Sequence, residues 1–303
     1  MYPEIVHSRD SECRTTLHRV LISRNENQLQ LIKMLIAHNA DVNARDAEDN
    51  STPLHYSVRQ NTLPPQVIDI IKLLIEKGAD PDATDDDGRT FLHWAPSFFA
   101  PQLYHELVTY FDSIGRKKSW KMVTSHSFTH LHCTVIKFEP LLDTLKIFKK
   151  NDINFNAQDN DGDSVMFDAI EAGRSAEFLQ TLFTFGADWR FPNKKQENAL
   201  HIAALTGNLS ALKLFISLDC DVNATNKFGY TPLHNVFLGH FDDKREAPCM
   251  ADHEIVEQLL MNGADVNVKD NDGNLAIDLA RDRWKIGKTE NHTLKLLETY
   301  QAI

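Results

Sequence analysis

A tetrad that keeps returning is the feature that most narrows what this chain can fold into. Aligned on its third residue, it reads TTLH at Leu17, TPLH at Leu54, TFLH at Leu92, THLH at Leu131, SVMF at Met166, NALH at Leu200, TPLH at Leu233 and LAID at Ile277. The eight copies follow one another at spacings of 37, 38, 39, 35, 34, 33 and 44 residues. Self-similarity at such a period means that one supersecondary unit is being stacked, because a single unit cannot bury its apolar face alone. Repetition therefore overrides the two-domain expectation that 303 residues would otherwise give, and one array over 1–303 is expected.

The tetrad has a local logic. Thr or Ser in first place caps a helix, proline is tolerated in the first turn, and the leucine begins an apolar stripe. A second helix then carries apolar residues at helical spacing, as at Ile70, Leu73 and Leu74 or Val256, Leu259 and Leu260. Gly78, Gly186 and Gly263 follow, suited to the left-handed conformation that ends a helix, and Asn39 and Asp219 take that place elsewhere, the aspartate less favourably. Turn sequences lead into the next tetrad: DDDG at 85–88, DNDG at 159–162, NKFG at 226–229 and DNDG at 270–273.

The period of 33 between Leu200 and Leu233, with TPLH at 231–234 and CDVNA at 220–224, resembles the ankyrin repeat, a β-turn followed by two antiparallel helices. The resemblance implies an all-α solenoid of helix-turn-helix repeats with β-turn or hairpin fingers and first helices lining a concave face. It also implies a protein-binding scaffold without catalysis, and structural tetrad histidines that hydrogen-bond backbone of the neighbouring repeat. These are His18, His55, His93, His132, His201 and His234; Phe167 and Asp278 replace them, marking weaker junctions.

Three segments depart from the pattern. The third repeat lacks a DVNA segment and runs into the basic junction 112–128; the fifth follows its glycine with WRFPNKKQE at 189–197; the seventh carries about 11 extra residues, within 239–252 between its two helices. Residues 293–303 read as a C-terminal cap, and no docking box is seen after Tyr300.

A formal net charge of -11 argues against a general nucleic-acid or anionic-membrane binder. Cys13, Cys133, Cys220 and Cys249 form no CxxC pair, the N-terminus lacks a signal-peptide core, and no run is long enough to span a membrane. A cytoplasmic protein, with nuclear access open, is the expectation, monomeric by itself.

HSFTHLHC places His126, His130, His132 and Cys133 close in sequence, and His126 with His130 has the i, i+4 spacing of a zinc pair. His132 is already the tetrad histidine, however, and the residues before it should be a finger, so no metal is assigned. Asp159, Asp161 and Asp163 fail the calcium-loop pattern, with glycine fourth instead of sixth and Ile170 at the twelfth position. No P-loop or nucleophile elbow occurs, so neither catalytic residues nor cofactors are assigned.

Surface recognition of a protein or peptide remains. Phe228 and Tyr230 flank one finger glycine and Trp189 and Phe191 precede another finger, although the latter pair could equally pack between repeats. Arg116, Lys117, Lys118, Trp120 and Lys121 offer a positive patch for an acidic peptide or phosphate. Acidic finger residues Asp85, Asp86, Asp87, Asp159 and Asp161 could steer a basic partner. Leu35 with Asn43 and Leu259 with Asn267 match the pattern of ankyrin asparagines that are hydroxylated. The alternative readings are an adaptor or host-directed effector, and a metal-dependent enzyme using 126–133.

Overall fold

The structure, a computed structural model, describes residues 3–23, 27–59, 64, 66–116, 118–238, 250–283 and 292–301. The chain divides into two compact units, Met1–Asn154 and Phe155–Ile303. Both are built from helix pairs, one pair for each tetrad.

In the first unit a short α1 (Pro3–Val6) precedes four pairs: α2 (Thr16–Ile22) with α3 (Gln28–Ala37), α4 (Pro53–Val58) with α5 (Val67–Glu76), α6 (Phe91–Trp94) with α7 (Pro101–Ser113), and α8 (His130–Lys137) with α9 (Leu142–Lys150). The second unit continues with α10 (Val165–Glu171) and α11 (Ala176–Phe185), α12 (Ala199–Thr206) and α13 (Leu209–Ser217), α14 (Pro232–Leu238) and α15 (Met250–Met261), and α16 (Ala276–Arg283) and α17 (His292–Gln301). The tetrad leucines Leu17, Leu54, Leu92, Leu131, Leu200 and Leu233 are all buried, and each removes enough apolar surface from water to contribute about 1.5–3 kcal/mol. Residues 239–249, which hold most of the seventh-repeat insertion, lie outside the described residues, as do Lys117 and residues 302–303 of the cap.

Six of the first helices begin with a capping box in which histidine takes the usual place of glutamate. The backbone N–H of Thr15, Thr52, Thr90, Thr129, Asn198 and Thr231 donates to Nδ1 of the tetrad histidine three residues on, at 3.1–3.2 Å. An accepting Nδ1 puts the ring hydrogen on Nε2, which then donates to the next repeat. His55 reaches the Arg89 carbonyl at 3.0 Å, His201 that of Tyr230 at 2.9 Å and His234 that of Asn274 at 3.4 Å. Burial favours the neutral ring, lowering the pKa of His18, His55, His201 and His234 and bringing His93 down to about 3. The replaced tetrads differ from one another. Ser164 makes no cap and its hydroxyl is buried without a partner, whereas Asp278 accepts the Leu275 N–H at 3.0 Å.

Asparagines of the DVN-like segments form a second set of staples. Asn43 Nδ2 donates to Gly78 O at 2.8 Å while its Oδ1 accepts from Asp80 N–H at 2.7 Å. Asn156 does the same to Gly186 and Asp188, and Asn223 to Gly263 and Asp265. Asn39 and Asp219 end their helices at φ of 61° and 60°, the left-handed conformation expected of them.

The fingers are simpler than hairpins. Among the described residues there are no strands, only isolated bridges such as Gln158 with Ser164. Each turn is closed by its own first side chain: Asp85 Oδ1 accepts the N–H of Asp87 and Arg89, Asp159 those of Asp161 and Asp163, and Asn226 those of Phe228 and Tyr230. Within a unit, neighbouring fingers are joined by one backbone bond, as in Ser125 N–H to Asp87 O at 2.7 Å or Asn271 N–H to Phe228 O at 3.0 Å.

Candidate functional site

The finger 226–230 displays the aromatic surface expected from the sequence. Asn226 is buried and fixes the turn, so Phe228 is held out at 45% exposure while Tyr230 is half-buried. Their rings lie 5.9 Å apart, Tyr230 is 5.9 Å from the His234 ring, and the Lys227 ammonium sits 5.2 Å above Phe228. Gly229 has φ +79°, and a Cβ there would stand 2.8 Å from Asn271 N, so only glycine lets this finger approach the next. The display is thus rigid: the turn, its neighbour and the His201 bond to Tyr230 O all restrain the same five residues.

The other aromatic pair divides. Trp189 packs on Phe215 of α13 at 5.6 Å and is half-buried, whereas Phe191 stands out at 57% exposure. In the first unit, Arg116, Lys118 and Lys121 are exposed, with Lys118 Nζ 3.9 Å from Asp82. Trp120 does not belong to that surface. It is 2% exposed, in a short 3-10 turn over Ser119–Lys121 that directs its indole against Phe111 at 5.3 Å and Phe148 at 5.8 Å. Asp86 and Asp87 are exposed, and Asp87 pairs with Arg89 at 2.8 Å. Asp85 is buried instead, because it closes its own turn. Asn43 and Asn267 are exposed; the amide of Asn43 is engaged at both atoms by the next repeat.

The 126–133 cluster does not converge. His126 is exposed and stacks on Phe128, His130 is buried and stacks on His93 at 3.8 Å, and His132 is engaged by Thr129. Among the described residues no three His, Cys, Asp or Glu side chains are grouped to hold a metal.

One set of residues escaped the sequence reading. The residue immediately after the tetrad reaches back to the finger: Tyr56 donates its hydroxyl to Asp46 Oδ2 at 2.5 Å, and Trp94 Nε1–H donates to Asp85 Oδ2 at 2.8 Å. Trp94 is also flanked by Arg59 and Arg89, at 4.3 and 4.7 Å from its ring. In the second unit the same position is Asp168 in the fifth repeat and Asn235 in the seventh. Asn193 bridges Asp163 and Glu197, and Glu197 in turn accepts from Asn226 and Asn235. The pKa of Asp168 is pushed up to about 8 by burial, then by Asp159, Glu171 and Asp163; Glu171 rises to about 6, with burial first and Asp163 next. The signal was available in principle, as a position just after the tetrad that is aromatic or polar at Tyr56, Trp94, Asp168 and Asn235.

The profile for ankyrin repeats (3 copies) matches residues 17–111 and 166–243, and that for the single ankyrin repeat matches 228–271. The chain belongs to the ankyrin-repeat family. It is similar to the E3 ubiquitin-protein ligase KEG of Arabidopsis thaliana, 25% identical over 85% of this chain but only 15% of the ligase. It is also similar to human palmitoyltransferase ZDHHC13, 37% identical over 30% of this chain and 13% of that protein. Saccharomyces cerevisiae has the probable 26S proteasome regulatory subunit p28, 28% identical over 75% of this chain and 92% of the subunit. The ligase and the transferase are thus matched over a small fraction of their length. Among solved structures, the ankyrin repeat domain of Bcl-3 superposes with a TM-score of 0.55 at 22% identity, covering 83% of this chain and all of that domain. That likeness bears on the fold, which is an all-α ankyrin-repeat solenoid. Among the described residues no helix is long and apolar enough to cross a membrane.

Proposed function

We propose that this chain is a non-catalytic interaction protein that holds a protein or peptide segment against its fingers and first helices. The observation that carries the reading is the rigid aromatic finger 226–230. Phe228 offers apolar area to a partner at little entropic cost, because its backbone is already fixed. Phe191 adds a second exposed ring, and Trp189 contributes its exposed edge. Arg116, Lys118 and Lys121 in one unit and Asp86 and Asp87 at a finger tip of the same unit supply charged rims, which set orientation and association rate more than affinity. The activities named for the ligase and transferase relatives are not carried over to this chain.

Replacing Phe228 and Tyr230 together by alanine should abolish affinity capture of the partner, identified by mass spectrometry, with the helical circular dichroism intact. Undiminished capture by the double variant would reject the finger as the binding element.

A further inference from the structure

In the second unit the fingers are laid edge to edge, and each joint is one backbone bond. Lys194 N–H donates to Asp161 O at 3.1 Å, Lys227 N–H to Lys195 O at 2.9 Å and Asn271 N–H to Phe228 O at 3.0 Å. These bonds line up the central two residues of four turns: Asn160 and Asp161, Lys194 and Lys195, Lys227 and Phe228, then Asn271 and Asp272. The outer two tips carry aspartate, as does the finger with Asp86 and Asp87 in the first unit, whereas the inner two carry lysine. On a chain with a net charge of -11, the sign of the surface is reversed at these two fingers.

The lysines differ in what they already hold. Lys194 Nζ donates to Asn160 O at 2.7 Å and is committed to the neighbouring finger. Lys195 and Lys227 are exposed, their tips are joined by the 2.9 Å bond, and neither has an ion pair among the described residues. Lys195 acts on Asp163 and Glu171 at longer range, offsetting part of the rise that burial gives their pKa. Two like charges fixed side by side repel one another, and an acid in either place would have turned the repulsion into attraction. What the pair lacks is an anion, and exposure leaves both lysines open to one from outside. The Lys227 ammonium also stands 5.2 Å from the Phe228 ring, which in turn is 5.9 Å from that of Tyr230, so cationic and aromatic surface are continuous.

We propose that fingers 193–197 and 226–230 take an extended acidic segment of the partner protein, with carboxylates on Lys195 and Lys227 and an apolar side chain on Phe228 and Tyr230. The inference rests on the finger reading above and names the chemistry of the segment held there. Alternate side chains of an extended chain share one face about 7 Å apart, a step that carries a segment from the Lys227 ammonium to the aromatic pair beside it. Both turns are closed by their own first side chains, Asn193 and Asn226, so little ordering of the fingers is needed on binding. An anionic membrane or a nucleic acid is disfavoured, because a broad phosphate surface would also meet Asp161 and Asp272 at the bordering tips. One extended segment reaches the inner tips alone, and the acidic remainder of the chain turns it away from other faces.

The test uses the full chain and the probe acetyl-Glu-Gly-Glu-Gly-Leu-amide, followed by amide chemical shifts. The expected result is saturable binding with a Kd on the order of 1 mM, with shifts centred on 193–197 and 226–230. Affinity should fall at least about threefold between about 20 mM and about 200 mM salt, as screening of exposed charges requires. The glutamine analogue of the probe, and the double variant Lys195→Gln with Lys227→Gln, should each weaken binding at least about tenfold. Both lysines are exposed, so the circular dichroism of that variant should match the wild type. Phe228→Ala should weaken binding at least about threefold. The proposal is overturned by absence of saturable shifts up to about 10 mM probe, by equal binding of the glutamine analogue, by shifts centred on Arg116, Lys118 and Lys121, or by binding to phosphatidylserine vesicles and not to the probe. A lysine variant that binds as the wild type does, while Phe228→Ala loses the probe, removes the acidic assignment and leaves the finger reading standing. The reverse pattern overturns the aromatic half of the proposal and the finger reading with it.

Discussion

Replacing Asp168 by asparagine should stabilise the protein, and by an amount that grows with pH. The carboxyl is pushed up from 3.8 to about 8 by burial and by Asp159, Glu171 and Asp163, so the folded chain holds a proton that the unfolded chain gives up. Between those two values the unfolded state binds fewer protons, and stability falls as pH rises. Each pH unit in the interval is worth up to about 1.36 kcal/mol, which sums to an upper limit of about 5 kcal/mol at pH 8. Water entry and adjustment of the neighbouring acids reduce this to an expected gain of about 2–4 kcal/mol at pH 8, vanishing near pH 4. Urea denaturation of both proteins at pH 5, 6.5 and 8, read by far-UV circular dichroism, measures the difference. The buried histidines titrate in both proteins and cancel from the comparison. A difference that does not change with pH, or a variant less stable than the wild type at pH 8, would refute the reasoning.

Three further outcomes follow from the repeat architecture. His201→Ala removes both the Asn198 box and the bond to Tyr230 O, and should cost about 2–4 kcal/mol in urea melts; a loss under about 0.5 kcal/mol would contradict a stapling role. Asp219→Gly relieves a left-handed aspartate at φ 60° on an exposed helix end and should gain about 0.5–1 kcal/mol, with no gain as the adverse result. His18, His55, His93, His201 and His234 have folded pKa values below 6.5, so their contribution is complete above that pH and is lost as pH falls through it; a melting temperature that holds steady from pH 7 to pH 5 would deny them this part.

The fold was legible because each repeat states its own boundaries. Thr and His three residues apart mark a helix start, and Gly186, Asn39 or Asp219 marks an end, all through short-range chemistry that one stretch of chain contains. Trp120 misled for the same reason. Its sequence neighbours are lysines, but a 3-10 turn sends Ser119 and Trp120 inward and leaves Lys118 and Lys121 outside. Asp85 misled because a run of three aspartates reads as surface, whereas the first of them is consumed in closing the turn. The burial of Asp168 was beyond local reasoning altogether. The acids that raise its pKa lie in the finger before it and one turn along its own helix, and their spacing in the sequence does not say that burial acts first.

The central claim is that partners are held on the finger side of the second unit and not on its second helices. Site-specific incorporation of a photo-reactive phenylalanine analogue tests it, at Phe228 on the finger and at Lys213 on the exposed side of α13. The account predicts that light yields a covalent adduct with the partner protein from position 228 and none from position 213. Adducts from position 213 alone, or equally from both, would contradict it.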